Sequence, residues 1–113
     1  FLLSHNGYEK VTPILGGWLA DATAPHAAAH CPILGEEVVF GLGFQPTTPR
    51  RPLGPNGRSF GHFGTGGALG FADPEAGVAF GYAMNHVIPR WQSSRNRMLI
   101  DATYAGLGAS SRP

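Results

Sequence analysis

Ala68-Leu69-Gly70-Phe71-Ala72-Asp73-Pro74-Glu75-Ala76-Gly77-Val78-Ala79-Phe80-Gly81-Tyr82-Ala83-Met84 is the stretch that decides the fold. Small and large side chains alternate in it twice, from Ala68 to Ala72 and from Gly77 to Met84. Successive residues of a strand point to opposite faces. Leu69 and Phe71 on one strand, with Val78, Phe80, Tyr82 and Met84 on the next, therefore share one thick apolar face. Ala and Gly line the other face, small enough to let a helix come close. Between the strands, Pro74 presets a turn dihedral and Gly77 accepts a positive φ. The pattern predicts a hairpin covered on both faces.

Outward from the hairpin, Val38, Val39, Phe40, Leu42 and Phe44 predict a strand in which Gly41 and Gly43 alternate with bulky neighbours. Pro46, Pro49, Pro52 and Pro55 recur every third residue, the period of a polyproline II helix. After Pro89, Ser93 or Ser94 can cap a helix running to about Leu107, with Ile100, Thr103, Tyr104 and Leu107 as its buried stripe. Gly106 and Gly108 end it, and residues 108–113 fray. Arg95 and Arg97 oppose the helix dipole in the first turn. Contacts elsewhere would account for them, although solvated side chains are the simpler expectation. Residues 1–32 read as irregular, with a short helix after Pro25 stopped by Pro32.

The 113 residues carry a formal charge of +1, and only 13% are charged. A nucleic-acid binder relying on a broad basic surface is not expected. No apolar run is long enough for a transmembrane segment. The compartment is not fixed by the sequence; with no targeting signal, a cytoplasmic setting is favoured. Cys31 is the only cysteine, so no internal disulfide forms. His26, His30 and Cys31 have metal-compatible spacing on a helix but lack clear third and fourth ligands, although Glu36 or Glu37 could serve. No metal site and no cofactor are expected.

Phe60-Gly61-His62-Phe63-Gly64-Thr65-Gly66-Gly67 brings backbone N–H groups close to whatever docks there. A phosphate loop would need Lys and then Ser or Thr after its last Gly, where Ala68 and Leu69 stand. A dinucleotide fingerprint would enter a helix, not a strand pattern.

The arrangement resembles the C-terminal end of the serine β-lactamase and penicillin-binding-protein superfamily, in its esterase-like branch. His62-Phe63-Gly64 matches that family's Lys-Thr-Gly or His-x-Gly triad. Thr65-Gly66-Gly67 matches the glycine turn that follows. Phe71 to Glu75 resembles the hairpin bend, Gly77 to Asn85 the last strand, and Trp91 to Leu107 the terminal helix. Phe40-Gly41-Leu42-Gly43-Phe44 looks like the aromatic-glycine strand before the triad. The resemblance spans residues 33–107 and implies an α+β fold: antiparallel strands with a C-terminal helix packed on one face, an incomplete β-lactamase/transpeptidase-like fold. The family's Ser-x-x-Lys and Tyr-x-Asn motifs are absent from the sequence. Both precede the triad, so the resemblance implies the C-terminal third of such a protein, whose partner is the missing N-terminal part of the same domain.

The resemblance also implies a chemistry for the parent protein. A serine attacks a carbonyl and an acyl-enzyme is hydrolysed. His62 takes the place of the first triad residue, and the Thr65 amide donates to the oxyanion. Phe63, Gly64 and Gly66 contact substrate. Unlike a lysine, His62 is not a permanent cation at neutral pH, and Phe63 offers no hydroxyl to a substrate carboxylate. Both features favour a neutral small-molecule ester over a β-lactam. The chain alone is expected to be catalytically silent and prone to aggregate through an open sheet edge. The alternative is a non-catalytic structural or interaction module, with proline-rich residues 46–55 as an SH3-type ligand through Arg50 and Arg51.

Overall fold

A computed structural model describes residues 17–89 and 93–110. Residues 17–23 are helical (α1). They are followed by β1 (Ala27–Cys31), β2 (Glu36–Phe40), β3 (Gln45–Pro46), β4 (Phe60–Phe63), β5 (Leu69–Asp73), β6 (Val78–Tyr82) and α2 (Ser94–Ser110). β1 and β2 form a two-stranded sheet, and the remaining strands form a four-stranded antiparallel sheet in the order β3-β4-β5-β6. Trp91, and the residues before position 17, lie outside the described residues.

The β5–β6 hairpin has the expected register, with Leu69 opposite Tyr82, Phe71 opposite Phe80 and Asp73 opposite Val78. Gly77 closes the turn at φ +65°. The bulky face is the one that α2 covers. Ile100 is 1% exposed and packs with Leu53, Phe63, Leu69 and Phe71, with Phe80 and Tyr104 at the margin. Phe71 and Phe80 stack with centroids 5.2 Å apart. Each such aliphatic or aromatic side chain contributes about 1.5–3 kcal/mol by leaving water. This corrects the sequence reading in one respect. The helix packs on the large side chains, not on the Ala/Gly face, and Gly70, Ala79 and Gly81 stay exposed. An apolar stripe on a helix needs apolar area opposite it, which the small-residue face does not offer.

Ser93 caps α2, its Oγ accepting from the Asn96 N–H at 3.4 Å. The helix continues through Gly106 and Gly108 to Ser110, past the predicted stop at Leu107. Neither glycine has a positive φ, so neither acts as a C-cap. Arg95 and Arg97 do make contacts elsewhere. Arg95 donates twice to the His86 carbonyl at 3.1 Å and stands 5.5 Å from the Tyr82 ring centroid. Arg97 donates to the Pro52 carbonyl at 3.1 Å.

Three further expectations change. Ala27–Cys31 is a strand, not a helix after Pro25, because each of its residues pairs across to Glu36–Phe40. That ladder overrides alanine's helical preference. The stretch from Phe40 to Phe44 is not one strand. β2 stops at Phe40, and a turn held by the Gly41 N–H on the Phe44 carbonyl (2.7 Å), with Gly43 at φ +83°, leads into β3. The prolines do not build a polyproline ridge either. Thr48 and Arg51 exchange backbone hydrogen bonds, which a polyproline helix does not have, and Leu53 turns wholly inward. Arg51 is buried too, and together with Arg50 it donates to the Glu36 carboxylate. Those two bonds outweigh burial and hold the Glu36 pKa below its ordinary value. They tie the β1–β2 hairpin to the loop.

Candidate active site

The site is built on β4 and the turn after it. Cross-strand pairing sorts the residues of β4 by face. Gly61 and Phe63 sit opposite Phe71 and Leu69, on the helix side. Phe60 and His62 sit opposite Ala72 and Gly70, on the open side. His62 is exposed there, with its ring centroid 5.9 Å from that of Phe40. Phe60 is buried on the same face by an edge-on contact with Phe44 at 5.2 Å. Phe63, expected to touch substrate, instead lies in the core with Leu53, Leu69, Phe71 and Ile100 and is 5% exposed. The period of two carries its side chain to the face opposite that of His62. Gly61 is what lets β4 and β5 meet. A Cβ there would stand 2.1 Å from the Gly70 carbonyl oxygen and 2.6 Å from Phe71 Cα.

Beyond β4, Gly64-Thr65-Gly66-Gly67 forms a β-turn closed by the Gly67 N–H on the Gly64 carbonyl at 3.0 Å. The Gly64 N–H donates to the Ala68 carbonyl at 2.7 Å, and Gly67 has φ +104°. Thr65 and Gly66 are the two central residues, whose N–H groups a turn leaves unused. Among the described residues neither N–H meets an acceptor. The carbonyls around them are engaged: Gly64 by Gly67, Gly66 by the Ile88 N–H at 3.0 Å, and Gly67 by Asn96 Nδ2 at 3.0 Å. The turn thus presents donors while three of its acceptors are held by the protein, an arrangement suited to developing negative charge. Gly66 is also packed from outside. A Cβ there would stand 2.8 Å from Met84 Cε and 3.5 Å from Val87.

Two supports had no signal in the sequence beyond ordinary residue types. One is Asn96, fully buried behind the turn. The other is Asp73, also fully buried, which gathers four donors. Its Oδ1 accepts from the Glu75 and Ala76 amides at 3.0 and 3.1 Å, fixing the hairpin turn. Its Oδ2 accepts from Asn56 Nδ2 at 2.7 Å and from the Tyr104 hydroxyl at 2.5 Å, joining loop, hairpin and helix. Burial opposes ionisation of Asp73. The hydrogen bonds from Tyr104, Ala76, Asn56 and Glu75 outweigh it and hold the carboxyl below the usual aspartate range.

His26 and His30 lie on the β1 side of the structure, not on a helix, and no group of three metal-ligating side chains occurs among the described residues. A cavity of about 300 Å³ lies among Thr47, Pro52, Gly54 and Asn56, in the loop between β3 and β4 and away from His62 and Thr65. No helix of the structure is long and apolar enough to cross a membrane.

No family model matches the chain, and no curated protein matches it. Solved structures do. A family VIII carboxylesterase superposes with a TM-score of 0.69 and 34% identity over 76% of this chain. A penicillin-binding protein homologue from Caulobacter crescentus gives 0.66 and 36% over 76%. EstA from Arthrobacter nitroguajacolicus Rue61a gives 0.72 and 30% over 83%. The chain belongs to the β-lactamase-like serine hydrolases. It spans 23%, 24% and 25% of the carboxylesterase, the penicillin-binding protein homologue and EstA respectively. Its sheet and C-terminal helix are thus part of an α+β β-lactamase-like fold.

Proposed function

We propose that this chain supplies one wall of the active site of a serine hydrolase that cleaves carboxylic esters through an acyl-serine intermediate. The nucleophile comes from polypeptide outside this sequence, which has no Ser-x-x-Lys. The Thr65 N–H donates to the carbonyl oxygen as it becomes an oxyanion. Gly64 leaves room for the ester to approach, Gly66 lets Met84 and Val87 pack against the turn, and His62 lines the same wall. The observation that carries this reading is the exposed turn whose Thr65 donor is unpaired while the neighbouring carbonyls are bound elsewhere. The likeness to a family VIII carboxylesterase supports ester hydrolysis as the chemistry.

The test uses the full-length gene product that contains Ser-x-x-Lys upstream. Wild type hydrolyses p-nitrophenyl butyrate well and nitrocefin poorly. His62→Lys adds a fixed cation for a substrate carboxylate, and the nitrocefin-to-ester ratio of kcat/KM rises about tenfold, equivalent to about 1.4 kcal/mol. A ratio that does not move removes His62 from the site. Phe63 is left intact in this experiment, because Phe63→Thr would open the core.

A further inference from the structure

Asn96 stands in the first turn of α2, 29 residues along the chain from Gly67, whose carbonyl it binds. Its side chain is fully buried at the level of the core, where an amide costs free energy unless every polar atom is satisfied. It is satisfied in one specific way. Ser93 donates from Oγ to Asn96 Oδ1 at 3.3 Å, and Asn96 Nδ2 donates to Gly67 at 3.0 Å. A carbonyl accepts only a donor, so the amide orientation is determined. The helix does not need this residue for its cap, because Ser93 already serves, and asparagine is a mediocre helix former.

We propose that Asn96 is the positioning residue of the oxyanion donor. Gly67 has no Cβ and sits at φ +104°, where the backbone has the most freedom to swing. Binding its carbonyl from behind fixes the last peptide of the turn. The Ile88 N–H on the Gly66 carbonyl fixes the one before it. The Thr65 N–H lies in the Gly64–Thr65 peptide, whose carbonyl accepts from the Gly67 N–H at 3.0 Å. With the peptides on both sides of Gly67 held, that bond keeps the Thr65 N–H in its direction before substrate arrives, and no reorganisation is required as charge develops. α2 therefore serves the chemistry as well as the core, through a single hydrogen bond. This inference rests on the role proposed above for Thr65.

The experiment compares wild type, Asn96→Ala and Ser93→Ala in the full-length hydrolase, below the melting temperature of each. Asn96→Ala lowers kcat for p-nitrophenyl butyrate about tenfold, less than the 10²–10³ lost with a whole oxyanion donor. KM stays within about twofold. The Ki of an alkyl boronate, which forms a tetrahedral anion on the serine, rises in parallel with the loss in kcat/KM. The Kd of an unreactive amide analogue does not change. A purely structural Asn96 would lower the melting temperature and leave the boronate-to-amide ratio untouched, and that result overturns the proposal. If Asn96→Ala does not fold, Ser93→Ala decides. A loss of about two- to fivefold in kcat and in boronate affinity supports the relay, and none refutes it. A wild type that neither turns over esters nor binds the boronate refutes the Thr65 reading itself. An active wild type beside an unaffected Asn96→Ala refutes only the positioning role.

Discussion

Tyr104→Phe removes one hydroxyl and leaves the ring that packs beside Ile100. The lost contact is the 2.5 Å hydrogen bond to Asp73 Oδ2. The hydroxyl reaches Asp73 by passing over Gly54, where a Cβ would stand only 2.7 Å from it. A hydrogen bond to an ionised, buried acceptor is worth about 1.5–3 kcal/mol. Taking about 2 kcal/mol, local opening of the β5–β6 hairpin becomes about 30-fold more frequent, since each 1.4 kcal/mol is a factor of ten. The sign with pH follows from Asp73. Its folded pKa lies below the unfolded value of about 3.9, so the stabilisation is fully present above that value and is lost as pH falls through the folded pKa. The assay is hydrogen exchange of the peptide spanning residues 69–82, wild type against variant, at matched pH. At pH 7 the protection ratio is about 30. As the pH is lowered below the unfolded value, the ratio falls towards the roughly fivefold expected of a neutral hydrogen bond. A ratio near one at pH 7, or one that does not change with acid, would refute the claim that Asp73 is the charged hub joining hairpin, loop and helix.

Two further outcomes are expected. Gly61→Ala forces β4 away from β5, because its Cβ meets backbone rather than a movable side chain. It costs about 3 kcal/mol or more, at the upper end of single-residue effects, and shows as a lower melting temperature with loss of exchange protection in β4. Glu36→Gln removes the anion shared by Arg50 and Arg51. Tryptic cleavage after Arg50 then accelerates in the variant. Equal cleavage rates in the two proteins at neutral pH would dissociate the ion pair from the loop's order.

Local rules settled a good part of this molecule. The alternation from Leu69 to Tyr82, the turn at Gly77 and the cap at Ser93 depend on neighbours a few residues away, so they are legible in the chain itself. The ordered combination of the His62-Phe63-Gly64 triad, the glycine turn, the hairpin and the terminal helix was enough to suggest a hydrolase family, and the solved carboxylesterase and the other similar structures bear that out. What failed did so where a distant partner outweighs local preference. The alanines of Ala27–Cys31 became a strand because β2 completes their hydrogen bonds. The prolines between β3 and β4 gave up a continuous ridge because Leu53 and Arg51 are drawn inward. Phe63 went to the core because the face of a strand is set by which side the helix covers. Only the tertiary structure reveals Asp73 and Asn96 as supports, since each acts on groups far along the chain: Tyr104 for the one, Gly67 for the other. Sequence determines where donors and acceptors occur; burial determines which of them must find each other, and so which polar residues hold the turn in place.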